Sequence, residues 1–108
     1  MARIYELRTY VAEPGRLDTL LARFRDHTVG LFERHGMTSI GYWVATEHAD
    51  TLIYLMAHAD PEAAEASWDA FRGDPEWQVV KANSEEDGAI VRSITSSFLK
   101  PTEFSAMR

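Results

Sequence analysis

The sequence predicts an α+β fold with element order β-α-β-β-α-β: a four-stranded antiparallel sheet with helices on one face. Three observations carry this. A long apolar stripe of helical period separates the first two strand-like segments. A polar hairpin connection joins the second segment to a third. The triplet Asp-Pro-Glu then occurs twice before a final strand, and each copy is a helix start.

The first strand covers residues 3–10. Side chains on a strand alternate between two faces, so Tyr5, Leu7 and Thr9 share one face, which can pack on the helices. Ile4, Glu6, Arg8 and Tyr10 share the other. An acid, a base and a phenol between apolar neighbours suit the lining of a polar, partly buried cavity. Glu13-Pro14-Gly15 is a turn. Over 15–35, residues Leu17, Leu20, Leu21, Phe24, Thr28, Leu31, Phe32 and His35 fall on one stripe at helical period, and Gly36 fits the position that ends the helix. Ser39 to Thr46 is the second strand, and Glu47 to Asp50 the connection. Thr51 to His58 is the third, its near-continuous apolar character that of a strand covered on both faces.

Asp60-Pro61-Glu62 and Asp74-Pro75-Glu76 each supply an N-cap aspartate, a proline at the first helical position and an acid that favours the helix dipole. The first opens a helix with Ala64, Ser67, Trp68 and Phe71 on one side. The second opens a short helix with Trp77, Val80 and Ser84 in register, Trp77 plugging it against the sheet. Asp87-Gly88 turns the chain into the last strand, 89–99. The tail 102–108 lacks periodicity and reads as an arm that packs elsewhere. The 108 residues are expected to form one domain. Helices on one face leave the third strand half covered, and a second copy of the sheet would cover the rest. A homodimer closing a β-barrel is therefore expected.

Composition narrows the function. The formal net charge is −6 with no Lys/Arg cluster, which disfavours nucleic acid and anionic membrane as partners. There is no cysteine, so thiolate chemistry is excluded. No secretory signal or apolar span is legible, and the expected location is cytoplasmic. The histidines His27, His35, His48 and His58 lack metal-ligand spacing: His27 and His35 lie about 12 Å apart along one helix. Neither a metal nor any other cofactor is expected.

Ile4 to Tyr10, His27-Thr28 followed by Leu31-Phe32, His35-Gly36-Met37, Gly41-Tyr42-Trp43, and Trp68 with Phe71-Arg72 and Asp74-Pro75-Glu76-Trp77 together resemble the NIPSNAP family, over nearly the whole chain. The resemblance implies a dimeric α+β barrel. That superfamily also holds cofactor-free antibiotic and quinone monooxygenases, haem-degrading monooxygenases and muconolactone-isomerase-like enzymes.

The candidate catalytic residues are His58, Arg8 and Glu6. His58 ends the third strand on the face of Leu52, Tyr54 and Met56, near the mouth of a barrel if that face lines one, and could move a proton. Arg8 could steady an anion. Glu6 and Arg8 could equally form a structural ion pair. Tyr10, Tyr42, Trp43 and Tyr54 are the candidate ligand-binding residues. His35, at the helix end, is read as bonding the last carbonyls, and Glu85-Glu86-Asp87 as a solvated turn. Two functions follow. One is a protein binding a small, partly aromatic ligand in the barrel cavity, acting as a cofactor-independent monooxygenase or isomerase. The other is a non-catalytic binding or scaffold protein acting through its dimer surface.

Overall fold

A computed structural model describes residues 3–108. Four strands form one antiparallel sheet in the order β2-β3-β1-β4: β1 is Ile4–Ala12, β2 Thr38–Val44, β3 Thr51–His58 and β4 Val91–Leu99. This is the ferredoxin-like arrangement. The molecule measures 45 × 35 × 19 Å. Its shortest dimension holds two layers, a sheet and one stratum of helices, so the second sheet face has no helical cover.

The helix after β1 is continuous but not uniform. It runs as α1 (Leu17–Arg23), a π-helical turn (Phe24–Thr28) and α2 (Val29–Arg34). The Thr28 hydroxyl donates to the Arg23 carbonyl at 3.2 Å across this turn. Gly36, at φ +82°, ends the helix in the conformation glycine tolerates best. Both Asp-Pro-Glu starts form as expected. Asp60 accepts from the Ala63 N–H at 2.7 Å to open α3 (Pro61–Arg72), and Asp74 accepts from the Glu76 N–H at 2.8 Å to open α4 (Pro75–Ser84).

The core lies between the helices and the β1–β3 pair. Phe24, Phe32, Trp68 and Phe71 come down from the helices onto Tyr10, Tyr54 and Met56. Ring contacts run from Tyr42 through Tyr54 and Phe32 to Phe71 and Trp77, with centroids 4.6 to 5.9 Å apart. Trp77 therefore rests on Phe71, not directly on the sheet, and α4 buries no residue fully.

This packing corrects the expected facing of the first strand. Glu6, Arg8 and Tyr10 point toward the helices, and Tyr5, Leu7 and Thr9 lie on the uncovered face. The alternation itself is as expected; its direction is not, because the charged side chains satisfy one another under the helices. Register places Ile4 opposite His58, Glu6 opposite Met56 and Arg8 opposite Tyr54. His58 is thus buried beneath the helical layer, its side chain 1% exposed, and does not stand at a barrel mouth. On the uncovered face Ile53 and Leu55 of β3 are half-buried, so β3 is fully covered on one side only.

On that outer face the Trp43 indole lies over Gly41, where an added Cβ would come within 2.6 Å of the ring. The chain after β4 returns along the same face. Pro101, Thr102 and Met107 line a small pocket with Tyr5, Leu55 and Leu99.

Candidate functional site

Beneath α3, β1 places a carboxylate, a guanidinium and a phenol in a row, and β3 sets Tyr54 and His58 beside them. Glu6 is 2% exposed. Its Oε1 accepts from His58 Nε2 at 2.9 Å and Trp68 Nε1 at 2.8 Å. Its Oε2 accepts from Arg8 Nη1 at 3.0 Å and Ser96 Oγ at 2.6 Å. A carboxylate offers about four lone-pair sites, and all are taken. Burial alone would raise the Glu6 pKa; the bonds from His58, Ser96, Trp68 and Arg8 overcome it and bring it down to about 2.

Arg8 is the second hub. Its Nε donates to Tyr54 Oη at 2.8 Å and its Nη2 to Tyr10 Oη at 3.2 Å, and Tyr54 Oη donates to Tyr10 Oη at 3.1 Å. The guanidinium lies 4.1 Å from the Trp68 ring centroid, within cation–π range. Burial acts to lower the Arg8 pKa, but the two phenols and Glu6 raise it, so Arg8 stays charged. Burial drives the Tyr54 pKa upward, so this phenol is protonated at neutral pH.

The structure thus brings Glu6, Arg8, Tyr10, Tyr54 and His58 into one connected network. Tyr42 joins only through its ring, stacked 5.1 Å from Tyr54, while its hydroxyl pairs with Ser39 Oγ at 2.7 Å. Trp43 lies on the opposite face of the sheet, 54% exposed, and cannot share a ligand with the others across the sheet. His27 lines a groove between α1 and α4. His35 departs from expectation: its Nε2 lies 2.7 Å from Asp74 Oδ2 and does not reach the helix-end carbonyls. The aspartate that caps α4 has one oxygen left for it. Among the described residues no group of three or more acids and histidines could hold a metal ion.

Two members of the network carry no local signal of a site. Trp68 has the helical spacing of a packing residue, and the one pointer to Glu6 is that a buried indole N–H needs an acceptor. Ser96 sits opposite Arg8 in the β1–β4 register, which no local pattern reveals. A third residue, Arg23, is 5% exposed although it falls roughly 120° from the apolar stripe of its helix. It is buried because α4 packs along that flank of α1.

The NIPSNAP family model matches residues 5–106. The chain belongs to the NIPSNAP family. Solved structures agree on the fold. A NIPSNAP family protein of unknown function from Agrobacterium tumefaciens superposes with a TM-score of 0.86 at 18% identity, covering 99% of this chain and 95% of that one. A second NIPSNAP protein from A. tumefaciens gives 0.86 at 22% identity, covering 98% and 99%. A Bacteroides thetaiotaomicron protein, provisionally named an antibiotic biosynthesis monooxygenase, gives 0.64 at 15% identity, covering 96% and 91%. No functionally curated protein matches the chain. The NIPSNAP assignment and the ferredoxin-like α+β fold expected from the sequence both hold. No helix among the described residues is long and apolar enough to cross a membrane.

Proposed function

We propose that this NIPSNAP protein is a homodimeric binding protein in which the first-strand network is a structural frame and not a catalytic centre. The observation that carries this reading is the closure of Glu6. Four donors occupy its lone pairs, and a carboxylate with a pKa of about 2 is too weak a base to take a substrate proton near neutrality. The dimer is supported by the uncovered sheet face, where Leu7, Trp43 and Leu99 are exposed without helical cover.

One observation favours a second reading, a cofactor-independent monooxygenase or isomerase. Arg8 commits three of its five N–H bonds to protein partners, and its side chain remains 14% exposed. Its two other N–H bonds could hold an anion formed when a ring hydroxyl loses its proton to His58. The monooxygenase name of the Bacteroides fold neighbour points the same way.

Arg8→Ala separates the two. As part of a frame, Arg8 balances Glu6, and its removal should cost roughly 3–5 kcal/mol of stability. If Arg8 also binds a ligand, the same loss of stability should come with loss of binding of a phenolic probe such as 2-naphthol by the protein that remains folded. We expect the large thermal destabilisation, with no difference in 2-naphthol titration between the folded proteins. A folded variant that loses 2-naphthol binding shown by the parent would sink the frame reading.

A further inference from the structure

Away from the network, a cleft of about 370 Å³ opens between the start of β4 and the flank where α1 meets α4. It lies within the size range of small-molecule sites. Its charged lining is three cations, Arg23, Lys81 and Arg92, against one acid, Glu85. This is notable in a chain of net charge −6. Glu85 is shared: it lies 2.9 Å from Lys81 Nζ and 3.7 Å from Arg23 Nη1. Arg92 reaches Glu13 only at 3.6 Å.

Arg23 is the residue that makes this a built site. Its side chain is 4% exposed, yet its Nε is buried without any hydrogen-bond partner. Its Nη1 donates to Ser84 Oγ at 3.2 Å, and its guanidinium lies 5.1 Å from the Trp77 ring centroid. Leaving a buried charged donor unpaired is costly. Arg23 also immediately precedes the π-helical turn, a distortion found often at functional sites. Val91 and Ile94 of β4 provide an apolar part of the lining, Ile94 being 49% exposed.

We infer that this cleft binds a small organic carboxylate, its anionic group neutralised by Arg23 and Lys81 and its compact apolar body laid against Val91 and Ile94. A carboxylate matches the fork of a guanidinium, and Arg23 commits only Nη1 to protein partners. The apolar part of the lining selects against a bare inorganic anion. The inference does not depend on whether the Glu6 network is frame or catalyst.

Benzoate and its neutral analogue benzamide test it, titrated into the full chain by calorimetry and by chemical-shift mapping. Benzoate should bind saturably and shift the amides of Arg23, Lys81 and Ile94, with benzamide weaker by about tenfold or more, because charge-assisted bonds are roughly twice as strong as neutral ones. Arg23→Met should reduce benzoate affinity by a similar factor. Should that variant fold poorly, Ile94→Glu decides, because it places a negative charge in the cleft from an exposed strand position and should also abolish binding. Arg72→Ala, on the exposed flank of α3, should bind as the parent does. Equal affinities for benzoate and benzamide, shifts mapping elsewhere, an Ile94→Glu protein that binds benzoate normally, or no saturable benzoate binding would each overturn the inference.

Discussion

Glu6 shows how one buried charge is made tolerable. Its neighbours Ile4 and Met56 offer it nothing, and a carboxylate stripped of water costs several kcal/mol unless paired and hydrogen-bonded. Two strands and one helix each contribute a donor besides Arg8 of its own strand: His58 from β3, Ser96 from β4 and Trp68 from α3. The residue therefore ties three elements to β1. Its pKa is about 2 in the fold against an ordinary value of 4.5. A depressed carboxylate pKa stabilises the fold above the unfolded value, and this contribution is lost as pH falls through the folded value. Stability should drop by roughly 3 kcal/mol between about pH 4.5 and pH 2 from this group alone. Denaturant melts of the parent and Glu6→Gln across that window check it. The variant should be weaker at pH 7 and should lack this part of the acid sensitivity. Parallel curves for the two proteins would show that Glu6 is not the group responsible.

Elements are held at their ends as much as by their faces. Asp60 and Asp74 each satisfy a helix-start N–H, and the proline that follows cannot waste one. Replacing Asp60 with Ala should cost about 1 kcal/mol. Asp74 does more, since its second oxygen takes His35 at 2.7 Å and Arg34 at 3.4 Å, joining α2 to α4. Asp74→Ala should therefore lower the melting temperature more than Asp60→Ala does, and the double variant should show the sum. Equal losses for the two single variants would mean that the α2–α4 tie contributes nothing. The π-helical turn belongs to this scale too. It inserts one residue into the helix while the Phe24 and Phe32 rings stay in contact at 5.9 Å, so the aromatic core tolerates the irregular backbone beside Arg23.

For the whole molecule, the consequence of a two-layer slab is an unfinished sheet. The helices cover the β1–β3 pair on one face and leave β4 open, with Ile94 and Phe98 exposed, while Leu7, Ile53, Leu55 and Trp43 stand on the other face with only the C-terminal chain beside them. Phe104 and Met107 in that chain are themselves 85% and 45% exposed. A second copy packed isologously would cover both. Light scattering at micromolar concentration should report twice the 12.2 kDa protomer mass, and Trp43→Asp should shift the protein toward the protomer. A parent protein at 12.2 kDa throughout would refute the dimer and with it this part of the proposed function.

How much of this was legible beforehand differs between elements and site. Period two in β1, the helical stripe of Leu20, Phe24, Leu31 and Phe32, and the two Asp-Pro-Glu caps are local signals. Local stereochemistry determined the elements, their order and hence the fold. The sequence also placed Glu6, Arg8 and Tyr10 on one face and set Tyr54 and His58 on one face of β3, because alternation along a strand needs no knowledge of its neighbours. Which face met the helices was not legible: Leu7 and Leu55 on one side are as apolar as Ile4 and Met56 on the other. The partners of Glu6 from α3 and β4, the burial of Arg23 under α4 and the role of Glu85 between two cations were decided only by tertiary structure. Each depends on groups tens of residues apart meeting at hydrogen-bond distance, and such meetings leave no periodic trace along the chain.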